Sequence, residues 1–167
     1  RKSAVQCWVA ALGLLLWAFS AAAQTVAPSE EVSGFASDIT VRKDGMVDVD
    51  ERIEYSLPGQ PHDIFRDIVT RYVGDDGVRY RMPIEVHAAS IDGAPVTYAV
   101  RTEPFGVRII IGSGPSVVGQ HSFKISYTVK GAVRYSADHD ELRWDVTGIW
   151  PVPVRRASAT VYVAGVR

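Results

Sequence analysis

Apolar and polar side chains alternate with period two along most of the chain beyond residue 33. Phe35, Ile39 and Val41 form one run, and Val47, Val49, Ile53, Tyr55 and Leu57 form the next, interleaved with Asp48, Asp50, Arg52, Glu54 and Ser56. Successive strand side chains point to opposite faces, so each run offers one face to a core and one to water. Lys43-Asp44-Gly45 between the two runs predicts a hairpin, because a two-residue turn needs positive φ at both central positions and Asp-Gly tolerates it. After Pro58-Gly59-Gln60-Pro61, the segment His62 to Ile68 mixes charge and bulk, as an irregular crossover or a short strand does. Ile68 to Val73 is predicted extended, with a turn at Gly74-Asp75-Asp76-Gly77. Alternation resumes through Val78, Tyr80, Met82, Ile84 and Val86, and Pro83 within it marks an edge strand or a bulge. Asp92-Gly93 separates Ile84–Ile91 from Val96, Tyr98 and Val100, and Val107 to Ile111 is apolar enough for a strand covered on both faces. Phe123, Ile125, Tyr127 and Val129 make a further half-buried strand. Ala157, Ala159, Val161 and Val163 make the last.

No stretch after residue 24 carries a helical period. Eight or nine short strands at a spacing of roughly 8 to 12 residues predict an all-β fold, an antiparallel β-sandwich of immunoglobulin-like architecture without its disulfide. A partly open β-barrel is the alternative, and it lacks the recurring Gly kinks that closure demands.

The N-terminus reads differently. Arg1 and Lys2 precede an apolar run from Val5 to Phe19 and then Ala21-Ala22-Ala23, the order of a secretory signal peptide. The expected organisation is a signal peptide over 1–23, a flexible lead-in over 24–33 and a β-sandwich domain over 34–167. An uncleaved anchor is the alternative for the first segment. Removal of Arg1 and Lys2 lowers the basic count from 18 to 16 against 19 acidic residues, a net charge of about −3. With no basic run, nothing favours nucleic acid as a partner. The single cysteine, Cys7, falls in the apolar segment, so the expected domain has neither a disulfide nor a cysteine metal site.

The densest chemistry lies between Ser136 and Pro153. Asp138-His139-Asp140-Glu141 opens it, Leu142, Trp144 and Val146 alternate through it as core positions, and Gly148 leads to Trp150-Pro151-Val152-Pro153. Paired carboxylates can hydrolyse a glycosidic bond when they flank it about 5 to 10 Å apart, a geometry that consecutive residues do not supply by themselves. A metal site from His62, Asp63, His139 and Asp140 would lack any ligand-spacing signature. No Gly-x-Ser-x-Gly elbow or phosphate-cradling loop is present. The favoured reading is a polar network in which Asp138, His139, Asp140 and Glu141 satisfy Arg66, with Asp67 beside it, because an Arg among aromatics calls for a bidentate carboxylate. Trp150, held by the stiff Pro151-Val152-Pro153 segment, is the candidate binding aromatic, or else a lid over the open end of the sandwich. Tyr72 and Tyr135 are further aromatic candidates.

Three motifs together resemble the N-terminal domain of the bacterial membrane-protein family known as domain of unknown function 2207. They are Lys43-Asp44-Gly45 with Glu51-Arg52-Ile53-Glu54-Tyr55, then His62 to Ile68, and finally Asp138 to Gly148 running into Trp150-Pro151-Val152-Pro153. The resemblance implies an exported domain outside the cytoplasmic membrane, tethered through membrane segments beyond Arg167. It implies no activity, cofactor or metal. The expected function is a structural or interaction module, with an unidentified envelope protein or a second copy as partner. An envelope hydrolase or carbohydrate-binding domain using Asp138 to Glu141 and Trp150 is the alternative.

Overall fold

The computed structural model describes residues 29–60, 62–74, 77–112 and 117–164. The expected signal peptide over 1–23 lies outside them. Thirteen strands follow one another: β1 (Glu31–Val41), β2 (Val47–Leu57), β3 (Ile64–Val69), β4 (Arg71–Val73), β5 (Arg79–Arg81), β6 (Ile84–Ile91), β7 (Ala94–Pro95), β8 (Tyr98–Glu103), β9 (Gly106–Ile111), β10 (Gly119–Val129), β11 (Val133–Tyr135), β12 (Asp140–Leu142) and β13 (Ala157–Val163). They form a six-stranded sheet in the order β13-β1-β2-β10-β6-β7, a three-stranded sheet β3-β9-β8, and two ribbons, β4-β5 and β11-β12. The pairs are antiparallel apart from β13, which lies parallel to β1.

The buried faces of the two larger sheets share one core. Val47, Val49, Ile53, Tyr55 and Leu57 of β2 and Phe123, Ile125, Tyr127 and Val129 of β10 meet Ile64 and Ile68 of β3 and Ile109 and Ile111 of β9. This is the alternation of the sequence turned into two apolar surfaces.

Several expectations change in detail. β1 starts at Glu31, inside the expected lead-in, because Val32 is fully buried and its backbone bonds with Pro153 and Arg155. The β1–β2 hairpin forms, but around a longer loop closed by Arg42 and Met46, in which Gly45 alone has positive φ. The tight turn with positive φ at both positions is Asp92 (50°) and Gly93 (83°), joining β6 to β7. Val78 to Val86 splits into β5 and β6 at Met82-Pro83. β9 is buried on its inner face only, since its outer face carries half-buried Arg108 and Ile110. Beyond Leu142, the strand expected through Val146 does not continue, and Leu142, Trp144 and Val146 are half-buried flanks of the core rather than its centre.

Candidate functional site

Position 51 lies in register with the inward-facing apolar residues of β2, and position 66 lies between Ile64 and Ile68 on the inward face of β3. Glu51 and Arg66 therefore meet inside the stacked sheets, and both side chains are fully buried. Arg66 Nε donates to Glu51 Oε2 at 2.7 Å and Nη2 donates to Oε1 at 2.7 Å, a bidentate fork. The Tyr127 hydroxyl, from the diagonal position on β10, opposite Val49, donates to Oε1 at 2.7 Å. Arg66 Nη1 donates to the carbonyls of Asp67 (2.6 Å) and Thr147 (2.8 Å), and Nη2 to that of Val146 (3.0 Å). All five guanidinium N–H donors are thus used, as a charge withdrawn from water requires.

The third motif serves this centre through its backbone. The carbonyls of Val146 and Thr147 turn to Arg66 instead of to a strand ladder. Gly148 closes the turn at φ +65°, and a Cβ there would collide with Arg66 Nη1 and Asp67 O. Asp145 caps the Gly148 N–H at 3.0 Å. Trp150 donates from Nε1 to Thr147 O at 2.8 Å and packs on Tyr55 at 6.1 Å and Phe35 at 6.3 Å. The Arg66 guanidinium lies 5.4 Å from the Trp150 ring and 5.2 Å from the Phe35 ring, so aromatic faces cover the charge. Half-buried Trp150 thus packs over the ion pair.

Burial opposes the charge on Arg66, yet the Glu51 carboxylate and its hydrogen bonds outweigh it and raise the guanidinium pKa above its ordinary value. Burial and then the Glu51 carboxylate push the Tyr127 hydroxyl well above its usual range, against an opposing pull from Arg66. Tyr127 therefore stays a donor at any physiological pH. Among the described residues, the buried Trp144 N–H makes no hydrogen bond.

The expected partner of Arg66 is corrected. Among the described residues, no hydrogen bond or ion pair joins Arg66 to Asp138, His139, Asp140 or Glu141. Those four are exposed on and before β12, where Asp138 accepts from His139 at 2.9 Å and Glu141 stands opposite Arg134. The reason is geometric: Glu51 faces Arg66 directly across the interior, whereas the acidic cluster sits on an outer ribbon. Asp67 faces outward and binds Arg108 instead, with Nε to Oδ1 at 2.7 Å and Nη2 to Oδ2 at 2.6 Å. His62 accompanies Glu30, 3.1 Å away, rather than His139. Among the described residues, no group of three His, Cys, Asp or Glu side chains could hold a metal ion. Glu51 was legible in principle, since a carboxylate at an in-phase apolar position on a strand needs a buried partner.

This geometry defines an all-β module whose strongest polar site is internal. Residues 31–165 match the family described as "Predicted membrane protein (DUF2207) N-terminal domain", and the chain belongs to that family, as the extracytoplasmic domain of bacterial membrane proteins. It is 28% identical over 149 residues to the uncharacterized protein YciQ of Escherichia coli strain K12, covering 85% of this chain and 24% of that protein. The chain thus spans about a quarter of the length of that curated relative. Among solved structures it is similar to an M1 zinc metallopeptidase from Deinococcus radiodurans (14% identity, 80% of this chain and 32% of that one, TM-score 0.48). It is also similar to leukotriene A4 hydrolase from Saccharomyces cerevisiae (14% identity, 59% and 15%, TM-score 0.44). No helix among the described residues is long and apolar enough to cross a membrane.

Proposed function

We propose that the domain is an interaction module, a β-sandwich whose interior polar groups lock the two sheets together and whose binding surface is the open edge at β13. The observation that carries this reading is the exposure of all seven residues of β13, at the edge of the six-stranded sheet. Val161, Tyr162 and Val163 are each about half exposed. The strand Ala-Ser-Ala-Thr-Val-Tyr-Val has no charge or proline and no break in register with β1, so the usual defences of an edge are missing. Such an edge accepts a further strand through its backbone groups.

The partner is a second copy. Two β13 strands, antiparallel about Thr160, would pair Ala157 with Val163, Ser158 with Tyr162 and Ala159 with Val161, without opposed charges, in a two-fold contact. In this reading the first 23 residues are removed on export and the chain beyond Arg167 tethers the module to the membrane. Analytical ultracentrifugation of this chain tests the pairing. A reversible dimer that Thr160→Lys or Val161→Lys converts to monomer is expected, and a wild-type monomer at every accessible concentration would overturn self-pairing.

A further inference from the structure

A concentration of positive charge stands away from both the buried lock and β13. In the β4–β5 ribbon, Arg71 lies opposite Arg81, Tyr72 opposite Tyr80 and Val73 opposite Arg79. Directly opposed residues share a face and faces alternate along a strand, so Arg71, Arg79, Arg81 and Val73 occupy one face and the tyrosines the other. The tyrosine rings stack at 5.1 Å. Arg143 lies 4.3 Å from the centre of the Tyr72 ring and Arg134 lies 4.5 Å from that of Tyr80, to whose hydroxyl it donates at 2.7 Å. Five guanidinium groups thus surround a single ribbon of a chain whose formal net charge is −1.

The first face is unbalanced. Among the described residues, no carboxylate pairs with Arg71, Arg79 or Arg81. Like charges placed directly across a strand pair are destabilising, so Arg71 opposite Arg81 works against the ribbon unless an anion lies between them. Glu141 stands opposite Arg134 on the neighbouring ribbon, and the sequence places Asp75 and Asp76 between β4 and β5, outside the described residues. On the arginine face, beside that segment, Val73 is 61% exposed.

We propose that the β4–β5 ribbon docks on an anionic phospholipid surface, with Arg71, Arg79 and Arg81 on lipid phosphates and Val73, on the same face, at the level of the headgroups. Arginine forks match phosphate oxygens, and each basic residue near an anionic bilayer contributes about 1 kcal/mol. A small free anion would use the guanidinium groups but not Val73. Membership of a membrane-protein family places a bilayer within reach of the domain. The docking is independent of strand addition at β13, since the two surfaces share no residue.

The test is co-sedimentation of this chain with vesicles of phosphatidylcholine alone and of phosphatidylcholine mixed with phosphatidylglycerol. Binding to the mixed vesicles only is expected, weakening as salt rises. It should fall about a hundredfold in the variant Arg71→Gln/Arg79→Gln/Arg81→Gln, from the loss of three basic contacts. That variant should melt no lower than the wild type, because it loses a repulsion, so misfolding and lost docking are told apart. Val73→Asn should weaken vesicle binding and leave any binding of inorganic phosphate unchanged. Equal binding by the triple variant, equal binding to neutral vesicles, or competition by inorganic phosphate at constant ionic strength would each overturn the proposal, the last in favour of a small-anion site.

Discussion

Two bidentate arginine–carboxylate pairs start from adjacent residues of β3 and differ in how far water reaches the arginine. Arg66 points inward to Glu51, and both side chains are fully buried. Asp67 points outward to Arg108, whose side chain is 35% exposed, beside Phe65. The fork geometry is nearly the same, but solvent is not. In the interior each charge has lost its hydration, so every donor and lone pair must be matched by protein, and Tyr127, Val146, Thr147 and Asp67 are recruited to do so. On the outer face, water reaches Arg108 and would rehydrate it if left alone, whereas the Asp67 carboxylate is itself only 8% exposed and depends on its arginine. Adjacent positions on a strand thus carry a fully buried centre and a pair open to water on its arginine side.

That contrast sets the order of the expected effects. Removing one inner partner is the most severe change, because it strands the other charge in the core. Glu51→Gln should lower the unfolding free energy by about 3 to 5 kcal/mol, read from urea denaturation. Asp67→Asn should cost less than about 1 kcal/mol in the same assay, because Arg108 can turn to water. A loss as large as that of Glu51→Gln would erase the distinction.

The exposed pair His121–Asp92 extends the series, with Nδ1 to Oδ2 at 2.7 Å. Its hydrogen bond to Asp92 raises the His121 pKa, and the Ser122 N–H followed by His121 lowers that of Asp92. A raised His stabilises fully below its unfolded pKa and loses that effect as pH rises through its folded value. A lowered Asp stabilises above its unfolded pKa and loses the effect as pH falls through its folded value. The pair should therefore contribute most between about pH 4 and 6.5. In an NMR titration the His121 midpoint should lie above that of the Asp92→Asn variant, and equal midpoints would remove this pair from the account.

How much of this was legible before the fold was known depended on whether the signal was periodic or spatial. Alternation placed Val47 to Leu57, Phe123 to Val129 and the hairpin between β1 and β2, because a single strand carries that information locally. The same alternation placed Glu51 and Arg66 in phase with core residues, which in principle exposed both ends of the lock. Attention to local density pointed instead to Asp138, His139, Asp140 and Glu141, four polar neighbours that end up on an outer ribbon. Their motif does reach Arg66, but through the carbonyls of Val146 and Thr147 and the room left by Gly148, and backbone contacts leave little trace in side-chain chemistry. The parallel pairing of β13 with β1 was equally hidden, since it joins residues more than a hundred positions apart.

The measurement that tests the central claim most directly replaces both inner charges at once. If Glu51 and Arg66 form a lock and not a reactive centre, the Glu51→Leu/Arg66→Met double variant should recover part of the stability that Glu51→Gln loses, because no charge is left stranded while the Tyr127 hydroxyl and the carbonyls of Asp67, Val146 and Thr147 lose their partners. Urea denaturation of wild type, Glu51→Gln and the double variant should give that order of loss, with the single change the worst. A Glu51→Gln protein as stable as the wild type would contradict the account.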